Sequence, residues 1–260
     1  MTSNTHGIQV VSKRLNRVEQ VHLEIRQRIV RGVYPPGSPL SDTRLASDVR
    51  ASRTPVREAL SRLLEEGYVE RVPGRGFFVA RITVAMIRNV FEVRRLLEGA
   101  AAAHAAERAA PQDVARLRGL ARLRSAAGRA GTRKAFDVNS RFHQTLAAAS
   151  GNALLVDLVR HCIDQVTRFM ALGVSLQPFQ SAASREHKAI VDAIEAKDPG
   201  RARAAVESHL DDAARFLLES LLKGDLRGSP FEASAAVPMP GAGPAGRPVP
   251  PMSAHPRRRK

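Results

Sequence analysis

The chain has 260 residues, 41 Lys+Arg against 25 Asp+Glu, a net charge of +16, one cysteine and no tryptophan. This length fits one large domain or two modest ones, and the positive charge points to a polyanionic partner. A lone cysteine excludes an intrachain disulfide, and no run of about 18 apolar residues is available to cross a membrane, so the expected setting is cytoplasmic with no membrane partner.

Hydrophobic residues make up 43% of the chain but aromatics only 4%, with abundant Ala, Leu and Arg, a composition that favours helices over sheets. Residues 1–15 read as a flexible arm without the apolar region of a signal peptide. From about Leu15 to Arg31, Val18, Val21, Ile25 and Ile29 recur at spacings of three and four, the mark of an amphipathic helix, and Gly32 ends it. Tyr34-Pro35-Pro36-Gly37 is a turn cluster. Ser41 is placed to cap a short helix containing Leu45, Ala46 and Val49. After a turn at Arg50-Ala51, Ser52 or Thr54 caps the next helix. Pro55 sits in its first turn, where a missing N–H costs nothing, and Val56, Ala59, Leu60 and Leu63 form the buried face. Gly67 stops it. Residues 68–72 and 77–80 read as two strands around a Pro73-Gly74-Arg75-Gly76 tip.

Three helices followed by a two-stranded hairpin make a winged helix-turn-helix. Arg53 and Arg57 are four apart, on one face near a helix start, where a guanidinium fork can bond guanine O6 and N7 together. Ser52 and Thr54 can reach phosphate or base edges, and Arg75 between two glycines suits backbone or minor-groove contact. The plain alternative for an isolated arginine pair is a solvated helix face.

Beyond about Thr83 the strand signal vanishes. Six helical stretches are expected at about 83–109, 112–128, 132–149, 152–173, 178–197 and 199–223, with breaks at Pro111, Gly131, Ser150-Gly151-Asn152, Gly173 to Pro178 and Asp198-Pro199-Gly200. The economical fold is an antiparallel all-α bundle. From residue 224 to 260 the sequence is rich in Pro, Gly, Ala and Ser and ends in Arg257, Arg258, Arg259 and Lys260. This reads as a disordered basic tail that either adds phosphate contacts or has no role. The expected organisation is an arm at 1–15, a DNA-binding domain at 16–81, a helical domain at 83–223, and the tail.

Within the helical half, Asn139 and His143 are four apart on one face. His187 and His209 each stand 11 residues from Asp198 in the turn between the last two helices. At 1.5 Å per residue both lie roughly 16 Å from that turn, level with each other across an antiparallel hairpin. Three imidazoles and a side-chain oxygen form a plausible set for Zn²⁺, Ni²⁺ or a similar divalent ion, against the alternative of ordinary solvated histidines. Asp137 is about 200° round the helix from Asn139 and is a poor substitute. His104 and His161 have no such partners, and Cys162 beside Val159 and Ile163 reads as a buried small hydrophobe.

Residues 17–80 resemble the DNA-binding domain of the GntR family of bacterial transcription regulators. The resemblance is carried by Pro36-Gly37, Leu40-Ser41, Arg44-Leu45-Ala46, the run from Ser52 to Leu60, Leu63, Glu66-Gly67 and Gly74-Arg75-Gly76. It implies a homodimer on a short inverted repeat of double-stranded DNA, with Arg44, Ser52, Arg53, Thr54 and Arg57 at the DNA and Gly76 at the wing tip. Arg50 departs from the family, which usually has glycine in this turn. A positive φ would strain Arg50, so the turn is reshaped or Arg50 serves as another phosphate contact. Residues from about 84 to 222 resemble the FCD ligand-binding domain of the FadR subfamily, through Glu92 to Glu98, Asn139 to His143 with Ser150-Gly151-Asn152, Glu186-His187 with Ile190, Ala193 and Ile194, and Ala204 with His209-Leu210. Six helices suggest its VanR-like branch. That resemblance implies a divalent metal at Asn139, His143, His187 and His209, with a small carboxylate beside it. Many members carry Asp where this chain has Asn139, an amide that ligates without charge. Arg94 is the candidate carboxylate clamp, with Arg95 the alternative.

The expected function is a ligand-responsive transcription regulator, more a repressor than an activator, released from its operator by a small organic or sugar acid. Two competitors are a metal-dependent enzyme that uses the histidines to activate water and a nonspecific architectural DNA binder. The enzyme is disfavoured because no nucleophile or general-base carboxylate has an evident role beside the histidines, and neither of the acidic residues Asp137 and Glu186 is obviously oriented.

Overall fold

In the computed structural model, residues 16–130, 132–170 and 177–222 are described. The expected arm at 1–15 and tail at 224–260, with Arg257, Arg258, Arg259 and Lys260, lie outside them. The first helix, α1 (Arg17–Val30), is opened by a reciprocal capping box. Asn16 accepts from the Glu19 N–H, while the Glu19 carboxylate accepts from the Asn16 N–H. Its buried stripe of Val21, Ile25 and Ile29 meets α3 (Arg53–Glu65), which turns Val56, Ala59, Leu60 and Leu63 inward. Each large apolar side chain buried here contributes about 1.5–3 kcal/mol. The short α2 (Asp42–Asp48) is capped by the Ser41 hydroxyl, which accepts from the Arg44 N–H, and anchors by Leu45. Ser52 occupies the cap position of α3 but makes no side-chain capping bond.

The wing is a sheet of β1 (Pro39–Leu40), β2 (Val69–Val72) and β3 (Gly76–Val79) in the order β1-β3-β2, all antiparallel. β1 is absent from the sequence reading because two residues carry no periodicity. Pairing of Pro39 with Phe78 and of Leu40 with Phe77 is decided by the neighbour alone. Val72 pairs with Gly76, so residues 73–75 form the tip, where Gly74 adopts φ 72° and Gly76 φ 94°.

The helix-turn-helix turn keeps its left-handed residue without glycine, since Arg50 has φ 49°. The Arg17 guanidinium donates to the carbonyls of Val49 and Arg50, pinning the turn to α1. A non-glycine side chain in this region costs about 1 kcal/mol or more. Arg50→Gly keeps both carbonyls and is expected to stabilise the DNA-binding domain by up to about 1 kcal/mol, part of the relief being offset by glycine's freer unfolded chain. Thermal unfolding of the two proteins checks the sign, and a lower midpoint for Arg50→Gly would show that the turn stores no strain.

The helical half comprises α4 (Val84–Arg108), α5 (Pro111–Ala130), α6 (Thr132–Ala149), α7 (Ala153–Met170), α8 (Gln177–Glu195) and α9 (Pro199–Leu222). The protein is thus mainly α, a winged helix-turn-helix followed by an antiparallel helical bundle. α4 runs through the centre and packs on α9, α6, α7 and α8, while α5 covers α6 and α8. Ile87, Phe91, Leu117, Phe142, Leu146, Phe169, Ile190 and Leu210 form the core. The breaks have local causes: Asn152 accepts from the N–H groups of Leu154 and Leu155 to start α7, and Asp198 accepts from the Arg201 N–H to start α9. Among the described residues no helix is long and apolar enough to cross a membrane.

Candidate functional site

Two sites stand out, one on α2 and α3 and one inside the bundle. On α3 the buried stripe faces α1, so Ser52, Arg53, Thr54 and Arg57 are turned outward, and all four are exposed. Arg53 and Arg57 do not simply extend into solvent. The Oδ2 of Asp42, the first residue of α2, accepts from Arg53 Nε at 3.3 Å, from Arg53 Nη2 at 2.9 Å and from Arg57 Nε at 2.8 Å. The Arg53 and Arg57 guanidinium groups hold the Asp42 carboxyl below its usual range. Arg44 stays open, 78% exposed, with only a loose approach of 3.9 Å to Asp48. At the wing, Arg75 and Gly76 are exposed, and the Arg75 guanidinium lies over the Phe78 ring, 5.2 Å from its centroid.

Inside the bundle, α6, α8 and α9 bring His143, His187 and His209 together, each no more than 1% exposed. His209 Nε2 lies 3.3 Å from His187 Nε2 and 3.3 Å from His143 Nε2. Two nitrogens each bound at about 2.0–2.1 Å to one tetrahedral ion are separated by about 3.3 Å. The backs of two rings are held by carboxylates, His143 Nδ1 by Glu98 at 2.5 Å and His209 Nδ1 by Glu186 at 2.7 Å. This fixes the tautomer that turns Nε2 to the centre. His187 is stacked on Phe142 with ring centroids 3.9 Å apart. Asn139, one turn before His143 on α6, keeps a buried Oδ1 with no hydrogen-bond partner. A buried lone-pair oxygen with no partner lacks a donor or a cation, and Asn139 shares its helix face with His143.

Glu98 also binds Arg94, its Oε1 accepting from Arg94 Nε at 2.6 Å. Burial works to raise the Glu98 carboxyl, but Arg94 and His143 outweigh it and hold it well below the usual carboxylate range. Burial pulls the His143 imidazole down to about 4 despite Glu98, so neutral His143 sits beside ionised Glu98 with Arg94 supplying the positive partner. Arg94 Nη2 is buried and has no partner. Arg95, by contrast, reaches outward to Glu207 and Asp211.

Sequence reasoning missed Glu98 as a site residue because it lies 45 positions from His143. The expectation that no carboxylate has a role beside the histidines is therefore corrected: both Glu98 and Glu186 engage them. They do so at Nδ1, behind the rings, where they orient the imidazoles. Burial pushes the Cys162 thiol up, in keeping with an inert small hydrophobe.

A belt of contacts joins the winged helix-turn-helix to the bundle. Arg26 on α1 pairs with Asp164 on α7 at 2.7 Å. Arg168 of α7, 1% exposed, donates to the Ala80 carbonyl at 2.6 Å and the Gly67 carbonyl at 3.5 Å. Both guanidinium groups lie over the Tyr68 ring, and His161 meets its edge. None of these contacts stood out in the sequence, since the bonded residues are about 90 to 140 positions apart. His161, read as ordinary, is part of this belt.

Residues 17–79 match the family model described as bacterial regulatory proteins, gntR family, and residues 89–212 match the FCD domain. The chain belongs to the GntR family and carries an FCD domain. It is 31% identical over 212 residues to an HTH-type transcriptional regulator in an unstable DNA locus of Streptomyces ambofaciens, covering 80% of this chain and 89% of that protein. It is 28% identical over 195 residues to the HTH-type transcriptional repressor RspR of Escherichia coli, covering 75% and 86%. It is 31% identical over 203 residues to the probable D-xylose utilization operon transcriptional repressor of Paenarthrobacter nicotinovorans, covering 76% and 89%. The solved structure of E. coli McbR/YncC shares the fold, with a TM-score of 0.70 at 22% identity over 80% of this chain and 100% of that one. The GntR-family protein is thus a transcriptional regulator and not an enzyme.

Proposed function

We propose that this GntR-family regulator is a cytoplasmic repressor that leaves its operator when a small organic or sugar acid binds beside a divalent metal in the FCD domain. The observation that carries the proposal is the convergence of three buried imidazoles, with His209 Nε2 3.3 Å from the Nε2 of both His187 and His143, together with a buried, unpartnered Asn139 oxygen one turn before His143 and a buried, unpartnered Arg94 Nη2. His143, His187, His209 and Asn139 would hold Zn²⁺ or Ni²⁺, and the ion would supply positive charge for the acid's carboxylate. Arg94 would clamp that carboxylate through its unused amino edge. Two of the relatives bear repressor names, which favours repression over activation.

The output would be a homodimer on an inverted repeat, reading bases with Arg53 and Arg57 and backbone with Arg44, Ser52, Thr54, Arg75 and Gly76. A second copy would cover Val93 and Leu96 of α4 and Leu154 and Leu158 of α7, exposed apolar residues on helices that pack together. Helix α7 would link input to output, because it packs on α4 and α6 beside the metal centre and carries Arg168 and Asp164 to the DNA-binding domain. The acid must favour one arrangement of that link, and the operator the other.

A thermal-shift screen of organic acids with and without Zn²⁺ or Ni²⁺ tests the reading. An acid that stabilises the protein only with metal is expected to weaken operator binding by about 5–150-fold. An acid that stabilises the protein and leaves operator affinity unchanged overturns release by ligand.

A further inference from the structure

The recognition arginines are not independent. Asp42 lies on a different helix, 11 and 15 residues before them, yet one of its oxygens accepts from both. A carboxylate on the DNA-facing surface of a chain with net charge +16 opposes binding to phosphates, so its position calls for a compensating role. The pattern of donors supplies one. Arg57 gives Nε to Asp42, and Arg53 gives Nε and one hydrogen of Nη2, so each keeps the outward hydrogens of its Nη1/Nη2 edge for a bidentate bond to a guanine. Both side chains remain more than half exposed, at 59% and 64%, so the tether restrains them without hiding them. Untethered, two long cationic side chains one turn apart repel each other and can swing to the nearest phosphates, which carry no sequence information.

We propose that Asp42 is a specificity-determining positioning residue: its carboxylate holds Arg53 and Arg57 in the orientation that reads bases and keeps them off the phosphate backbone. The inference rests on the reading of Arg53 and Arg57 as base-contacting residues. It separates two quantities that usually move together, because loss of Asp42 removes discrimination while sparing or strengthening overall attraction to DNA. Ser41, not Asp42, supplies the side-chain cap of α2, so the substitution keeps that capping bond.

The test uses the full chain and a duplex that the wild-type protein selects from a randomised pool, compared with a scrambled duplex of the same composition across a range of salt. For Asp42→Asn and Asp42→Ala the ratio of the two affinities is expected to fall about tenfold or more. Affinity for the scrambled duplex should hold or rise and the melting temperature should stay unchanged, whereas Asp42→Glu should keep most of the ratio. A ratio within twofold of wild type overturns the proposal, as does a fall in the ratio matched by a fall in melting temperature. So does a change of preference confined to one cytosine position, which would make Asp42 a direct base contact. Arg53→Ala and Arg57→Ala are measured alongside. If they too retain discrimination, the recognition reading fails. If they lose it while Asp42→Asn keeps it, the positioning role alone fails.

Discussion

Alanine at both Arg53 and Arg57 is expected to erase sequence-specific DNA binding while leaving the protein folded. Each bidentate arginine–guanine pair discriminates by about 1–3 kcal/mol, so losing two costs about 2–6 kcal/mol, or roughly 30-fold to more than 10⁴-fold in operator affinity. The nonspecific part should fall less, with the salt slope dropping by about 0.9 for each phosphate contact that is also lost. Folding is spared because α3 is held by Val56, Ala59, Leu60 and Leu63 on its other face, all fully buried. Fluorescence anisotropy with selected and scrambled duplexes reads both components. Survival of sequence-specific binding in the double variant would refute the recognition assignment.

Removing one imidazole from the bundle centre should have an effect of similar size on metal binding. His209 is the central ligand candidate, since its Nε2 is within 3.3 Å of both other rings. His209→Gln keeps most of the side-chain volume and is expected to weaken Zn²⁺ or Ni²⁺ binding by more than about 100-fold, beyond the roughly 10–100-fold that follows loss of a group supporting a ligand. Glu98→Gln, which changes the bond behind His143, should fall within that smaller range. Calorimetric titration of metal into the purified protein measures both, and the metal-dependent rise in melting temperature should vanish for His209→Gln. Equal metal stabilisation in wild type and His209→Gln would place the ion elsewhere or remove it from the account.

These two expectations concern sites joined through α7. Burial lowers the Arg168 guanidinium to about 10, while it donates to the Ala80 and Gly67 carbonyls at the edge of the DNA-binding domain. A buried arginine bonded to backbone is directional in a way an apolar contact is not, so these bonds tie the edge of the DNA-binding domain to α7 in one geometry. The same helix touches α4, which carries Arg94 and Glu98, and α6, which carries His143.

Much of the architecture was legible because its signals are local. The helical stripe of Val21, Ile25 and Ile29, the Ser41 cap, the Gly74 and Gly76 tip and the outward pair Arg53 and Arg57 all follow from spacing within one element or one turn. Even the level placement of His187 and His209 could be read, since both positions are counted from a single Asp198-Pro199-Gly200 turn at a fixed rise per residue. What the sequence left open depends on contacts between elements far apart in the chain. β1 is a strand only because β3 lies beside it, and Glu98 matters only because α4 crosses α6 at His143. The Arg168 bonds join positions 88 and 101 residues apart. The alternatives at Arg50 were decided by the fold, which keeps the left-handed turn and ties its carbonyl to Arg17. Periodicity and capping are properties of neighbouring residues, so the chain alone determined its helices, its hairpin and the outward face that carries Arg53 and Arg57. Which buried charges meet depends on how helices cross, so only the tertiary structure decided that Asp42 tethers the arginines, that Glu98 and Glu186 orient the histidines, and that α7 joins the two sites.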